Sequence, residues 1–270
     1  MLRPSKLILM RRGLSFCFAC VLIVSSCGGK SNSANTGATL SGNWQMVLTQ
    51  TQPPPGTPEG QTESGFLTQS GTSLGGSILQ SGSTPCVGLG TASGTVNGSN
   101  VTISVDQIGQ TVSLNGTIGS YGATITGNYA ILAAGCGSST VGTFSATQIK
   151  PLSGNFQATF TSGEFSGSVY TFTGSLTQGQ NSGASYGTLS GTMTSTNAPC
   201  SDSLSISGQV RGTSVVLNFL ASDGSAQGQY QGTTSTDGTT LTGTYDFLAQ
   251  SNGCYGDAGT VSIAFRPSSK

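Results

Sequence analysis

"LSGNWQ", residues 40–45, returns as "LSGNFQ" at 152–157, and this recurrence decides the architecture. Outward from it, the two flanks keep matching. "SGTVNG" at 93–98 recurs as "SGQVRG" at 207–212, and "GATITGNY" at 122–129 as "GTTLTGTY" at 238–245. "PC" at 85–86 recurs at 199–200, and "GC" at 135–136 recurs at 253–254. The offsets drift only from 112 to 118, so residues 40–151 and 152–270 are two copies of one unit.

Within each copy the apolar residues repeat every second position. Val101, Ile103 and Val105 alternate with polar residues, as do their counterparts Val215, Leu217 and Phe219. Ile125, Tyr129 and Ile131 form a second stripe, matched by Leu241, Tyr245 and Phe247, with Thr124, Thr126, Thr240 and Thr242 between. A period of two is that of strands with one buried face. "NGSN" at 97–100 and "TDGT" at 236–239 supply glycine-containing hairpin turns. The pattern predicts about eight strands in the first copy, near 42–49, 65–69, 74–80, 88–96, 100–106, 111–118, 122–132 and 141–148, and the same layout in the second. The chain therefore reads as all-β, two tandem antiparallel meanders, each a small barrel or a sandwich.

The head of the chain is of another kind. Arg3, Lys6, Arg11 and Arg12 precede an apolar run from Leu14 to Val24, too short for a comfortable membrane span. Residues 1–26 thus read as a secretory signal peptide. The stretch Val24, Ser25, Ser26, Cys27 resembles the lipobox of bacterial lipoproteins. That resemblance implies that Cys27 is lipidated and becomes the new N-terminus. The thioether-linked diacylglyceryl and the acylated amine it implies suffice for firm anchoring, where one chain does not. It places the protein in a bacterial cell envelope, and Gly28, where an aspartate would favour inner-membrane retention, points to the outer membrane. Residues 27–39 form a Gly, Ser, Asn and Thr tether with a reach of roughly 20 Å.

Charged residues are 7% of the chain, well below the roughly 25% of an ordinary soluble domain. Cleavage before Cys27 removes four of the nine basic residues and none of the nine acidic ones, leaving a formal charge of −4. Without a basic patch, nucleic acid is not the expected partner. Of seven cysteines, Cys17 and Cys20 leave with the signal. Cys86, Cys136, Cys200 and Cys254 remain, an even set in an exported chain. Each copy owns one "PC" and one "GC", so the repeat selects Cys86–Cys136 and Cys200–Cys254, one disulfide per unit. In a meander both positions fall at the same end of the unit.

The opening strand "GNW", Gly42 to Trp44, resembles the G-x-W of calycin barrels (lipocalins and avidins), in which the tryptophan plugs the barrel base. The second copy carries Phe156 there. The resemblance implies an interior able to take a small apolar ligand, as eight-stranded barrels sometimes do.

Chemistry is sparse. The chain has no histidine, which removes the commonest general base and transition-metal ligand; no cofactor or metal is expected. Asp202, Asp223 and Asp257 fall in loops at the end of the second copy that carries Cys200 and Cys254, with Tyr255 beside them; these are the candidate binding residues. The Pro-rich stretch "TQPPPGTPEGQTESG", 51–65, reads as a long loop of the first copy. Three functions follow in order. The first is a non-enzymatic envelope lipoprotein displaying two β-domains for structure or loop-mediated binding of a protein or glycan. The second is a calycin-like carrier of a small apolar ligand, and the third a carbohydrate-active enzyme with paired carboxylates.

Overall fold

Alternation of apolar and polar side chains becomes, in the computed structural model, two closed barrels, with sixteen strands among the described residues. The structure describes residues 39–52, 60–81, 88–135, 139–165, 167–179, 185–198, 203–224, 226–248 and 256–266. The first barrel contains β1 (Gly42–Gln50), β2 (Gly60–Ser70), β3 (Ser73–Ser81), β4 (Leu89–Asn97), β5 (Asn100–Gln107), β6 (Gln110–Ile118), β7 (Thr124–Ala133) and β8 (Thr140–Ile149). The second contains β9 (Gly154–Ser162), β10 (Val169–Gly179), β11 (Gly187–Ser195), β12 (Ser203–Arg211), β13 (Ser214–Ala221), β14 (Gln227–Thr234), β15 (Thr240–Phe247) and β16 (Asp257–Phe265). Within each barrel every strand pairs antiparallel with its sequence neighbours. β1 closes on β8 with Met46 opposite Ala146, and β9 closes on β16 with Ala158 opposite Ile263. Of the barrel and the sandwich, the chain forms barrels, which leave no open sheet edge.

The repeated hexapeptide builds the closed base of each barrel. Leu40 and Leu152 are fully buried. The Ser41 and Ser153 hydroxyls accept hydrogen bonds from the backbone N–H of Gln69 and Gln178. In return, the Gln69 and Gln178 side-chain oxygens accept from the N–H of Leu40 and Leu152. Gly42 and Gly154 turn the chain into the first strand at φ of 140° and 137°, a backbone region that side chains other than glycine's rarely adopt. Trp44 is wholly buried above this base and donates its indole N–H to the Leu40 carbonyl at 2.8 Å.

The predicted stripes face inward. Ile125, Tyr129 and Ile131 in β7, and Leu241 and Tyr245 in β15, are buried, and Phe247 is half-buried against the core. Thr124, Thr126, Thr240 and Thr242 are exposed. Inside each wall two glycines face one another, Gly116 opposite Gly127 and Gly232 opposite Gly243. A Cβ at Gly127 would lie 2.1 Å from the Asn115 carbonyl oxygen, so the chain can approach this closely only because no side chain intervenes.

Two strands differ from expectation. β2 begins at Gly60, not near 65, so Gln61 and Glu63 belong to the barrel wall and not to the Pro-rich loop. Polar residues on the inward face had masked the strand period. The seventh strand, expected from 122, starts at Thr124 after a 3-10 turn over Ser120–Gly122.

The barrels meet through the outer face of β1 and β2. Asn43, only 2% exposed, donates through Nδ2 to the Gly212 carbonyl at 2.8 Å and accepts from the Gly212 N–H at 2.7 Å. Gln45 accepts from the Thr213 N–H at 3.1 Å. Phe66, on the outer side of β2, is buried in the second barrel's hydrophobic cluster.

Candidate binding site at the mouth of the first barrel

The end opposite the base is the mouth, where β1 leaves and β2 enters, and where β3–β4, β5–β6 and β7–β8 connect. In the first barrel five inward positions at this level are polar. Gln61 and Glu63 on β2, Gln80 at the end of β3, Gln107 at the end of β5 and Gln110 at the start of β6 all point into the lumen. Gln80 donates to the Gln61 side-chain oxygen at 2.9 Å. Gln110 donates to the side-chain oxygen of Gln80 and, at 2.6 Å, to that of Gln107. Because β3 and β6 are not neighbours in the wall, the Gln110–Gln80 contact crosses the lumen. The four amides form a belt across the mouth.

Glu63 lies two residues deeper than Gln61 on the same strand, fully buried, opposite Gln80 on one side and Met46 on the other. Neither carboxyl oxygen has a hydrogen-bond partner. Burial pushes this carboxyl up to about 7, because the charged form has lost its water without gaining a counter-charge. Tyr129 faces it from β7 and is itself pushed up, first by burial; the hydrogen bond with Thr140 pulls the other way, and the negative charge of Glu63 adds to the rise.

Among the described residues, four buried side-chain polar atoms lack a partner: both oxygens of Glu63, and the Nε2 atoms of Gln61 and Gln107. All four belong to this cluster. A buried donor or acceptor left unpaired costs about 1–3 kcal/mol, so native proteins rarely keep several in one place without use. The set offers two donors and two acceptors, the complement of a group that can both give and take hydrogen bonds. Leu89, Ile108, Leu132 and Val141 stand exposed around the same rim.

The second barrel fills the equivalent space with rings. Gly42 opposes Leu67 and Gly154 opposes Leu176, so Glu63 corresponds to Phe172 and Gln61 to Tyr170. By the same registers Gln80, Gln107 and Gln110 become Ser195, Ala221 and Ala226. Phe160 sits 5.0 Å from Phe172 and 4.9 Å from Tyr245, ring centre to ring centre, and edge-on to both. Thr140 corresponds to Asp257, which accepts from the Tyr245 hydroxyl at 2.7 Å and from the Ser162 hydroxyl.

Of the residues singled out from sequence, Asp257 opens β16 at this second mouth and Asp223 lies in the β13–β14 turn at the same end. Asp257 is tied into the barrel by two hydrogen bonds. Asp202 and Tyr255 lie outside the described residues, as do Cys27, Cys86, Cys136, Cys200 and Cys254. Among the described residues, no three acidic or sulfur side chains converge as a metal site would require. Sequence reading passed over the amide belt. Its signal was there: Gln61, Glu63, Gly65 and Leu67 alternate in one phase, and Gln107 and Gln110 continue the inward stripes of Val105 and Val112. No family model matches the chain, and no curated protein sequence matches it.

Proposed function

We propose that the protein is a non-enzymatic, lipid-anchored binding protein of a bacterial cell envelope. In this reading the first barrel is the binding module and the second a packed scaffold. The carrying observation is the cluster of four unpaired buried polar atoms at one mouth and its replacement by aromatic rings at the other. Two amide donors and a carboxyl acceptor suit a hydroxylated ligand, such as a sugar residue of an envelope glycan. Entry exchanges the belt's internal hydrogen bonds for bonds to the ligand. An apolar cargo fits less well, because it would strand the same four atoms. Paired-carboxylate hydrolysis is the least supported reading: among the described residues of this barrel the other acid, Asp106, is exposed on the outer face and accepts from Thr111.

The binding reading is tested by following the side-chain NH2 resonances of Gln61, Gln80, Gln107 and Gln110 while neutral hexoses, N-acetylhexosamines and their disaccharides are titrated in. Saturable shifts confined to these signals support the reading; no response to any sugar overturns the glycan assignment. The anchor has its own test. Cys27→Ala should abolish incorporation of a radioactive fatty acid and release the protein from the membrane with both barrels folded. Undiminished labelling would show that Cys27 is not the acceptor.

A further inference from the structure

The junction between the barrels uses side chains that the chain carries twice but engages once. Asn43 and Gln45 grip the Gly212–Thr213 turn. Their counterparts Asn155 and Gln157 hold the same positions on β9, where no barrel covers them, and both are exposed. The same face carries a concavity of about 460 Å³ lined by Asn155, Thr173, Ser175, Thr194 and Arg266 among others. By strand register Thr173, Ser175 and Thr194 are the equivalents of Ser64, Phe66 and Leu79, the surface that in the first barrel adjoins its neighbour.

The matching half is also unused. The turn of the second barrel that enters the junction is Arg211–Ser214, and its counterpart in the first barrel is Asn97–Asn100, between β4 and β5. Gly212 and Gly98 share the left-handed conformation, φ 53° and 61°. A Cβ on Gly212 would strike Gln45, whereas one on Gly98 would meet nothing within 4 Å. Each chain therefore ends in one socket and one plug of the same design.

We propose that these halves join between chains, the Gly98–Ser99 turn of one copy docking against Asn155 and Gln157 on the second barrel of the next. The contact repeats, between molecules, the head-to-tail junction within each molecule. Such a heterologous contact propagates head to tail, as a ring where its rotation closes and as an open row where it does not. It is weaker than the internal junction for two visible reasons. Ser175 stands where Phe66 supplies an aromatic anchor, and Arg266 already donates to Gln157 at 3.1 Å and must yield or share it. The internal junction also gains from covalent linkage, which the intermolecular one lacks. Crowding of copies on a surface is then what fills the row.

The test uses the full-length protein in a density-matched detergent, by sedimentation equilibrium at concentrations up to about 1 mM, the effective range a short tether imposes. Mass should rise with concentration past the dimer. Asn155→Arg, which blocks the socket, and Ser99→Arg, which blocks the plug, should each lower the association constant at least about tenfold. An equimolar mixture of the two should form dimers and stop there, since each variant keeps the half the other lacks. A wild-type protein that stays monomeric overturns the proposal, as does Ser99→Arg assembling like wild type. To guard against misfolded variants, benzoylphenylalanine is placed at Ser175 in otherwise unaltered full-length protein and mixed with a 15N-labelled copy. Photocrosslinks should reach the labelled peptide containing Gly98; crosslinks solely elsewhere would overturn the docking mode.

Discussion

At the mouth of the second barrel Phe160 lies between Phe172 and Tyr245, with Phe219 at 5.9 Å completing the cluster. At the same level of the first, Leu48, Glu63 and Tyr129 take those places beneath a belt of glutamine amides. The bases below are alike, down to the serine and glutamine that tie them. Two copies of one backbone plan thus keep the same closed end and diverge at the open one. Apolar rings gain from leaving water and pack without needing partners. Amides and a carboxyl gain nothing by burial unless each finds a hydrogen bond, and in the first barrel four atoms do not. The second mouth is built for stability, and the first gives stability up.

The largest effect expected from this contrast is on the second barrel. Phe160→Ala removes the ring at the centre of the aromatic cluster and should cost about 3–5 kcal/mol, the range for emptying a large buried ring site. The chain's single tryptophan, Trp44, is in the first barrel and reports on that barrel alone. Urea unfolding followed by far-ultraviolet circular dichroism should show two phases, with that of the second barrel moved to lower urea, while the Trp44 fluorescence transition stays in place. A Trp44 transition that moves by the same amount would mean that the barrels unfold as one body, and the contrast between independent copies would fail.

The first barrel should lose stability between pH 4.5 and 8 through Glu63. The Glu63 carboxyl is raised from 4.5 to about 7 in the folded state, so the folded barrel holds a proton that the unfolded chain releases earlier. Stability is therefore complete below about pH 4.5, falls as pH rises toward 7, and is level above. A displacement of this size corresponds to about 3 kcal/mol. Unfolding monitored by Trp44 at pH 4.5 and pH 8 should show the loss, and Glu63→Gln should flatten it while keeping side-chain volume and hydrogen-bonding capacity. An equal pH response in Glu63→Gln would assign the effect to some other group.

Which parts of this were legible in the sequence follows from the same physics. Stripes such as Val101–Ile103–Val105 were readable because an apolar side chain at every second residue has one structural use. The turn glycines Gly98 and Gly238 were readable because their φ of 61° and 67° suits glycine. Position at the mouth followed from strand parity, which placed Asp223 and Asp257 at one end. Gln61 and Glu63 were not readable. A polar residue on an inward stripe looks like a residue of a loop, and after "PPPGTPEG" the loop was the natural reading. The junction was hidden for the opposite reason: "GNWQ" and "GNFQ" carry the same Asn and Gln, and nothing in either tells which pair meets a neighbour.

That hidden difference permits the smallest and cleanest comparison, one substitution made at two equivalent places. Asn43→Ala leaves the Gly212 N–H without its acceptor and the Gly212 carbonyl without its donor, in a setting where Asn43 is 2% exposed. The cost should be about 1–3 kcal/mol, felt as a loosened junction: Trp44 fluorescence and circular dichroism transitions that separate further in urea than in wild type. Asn155→Ala removes the same amide from a face open to water. Its side chain spans no such pair of backbone groups, so stability should change by no more than about 0.5 kcal/mol in dilute solution. The difference between the two variants measures what the neighbouring barrel adds to an otherwise identical residue. If both substitutions cost the same, Asn43 and Asn155 serve the strand that carries them, as part of the base, and the barrels are held together by the other junction contacts, Phe66 and the Gln45–Thr213 hydrogen bond among them.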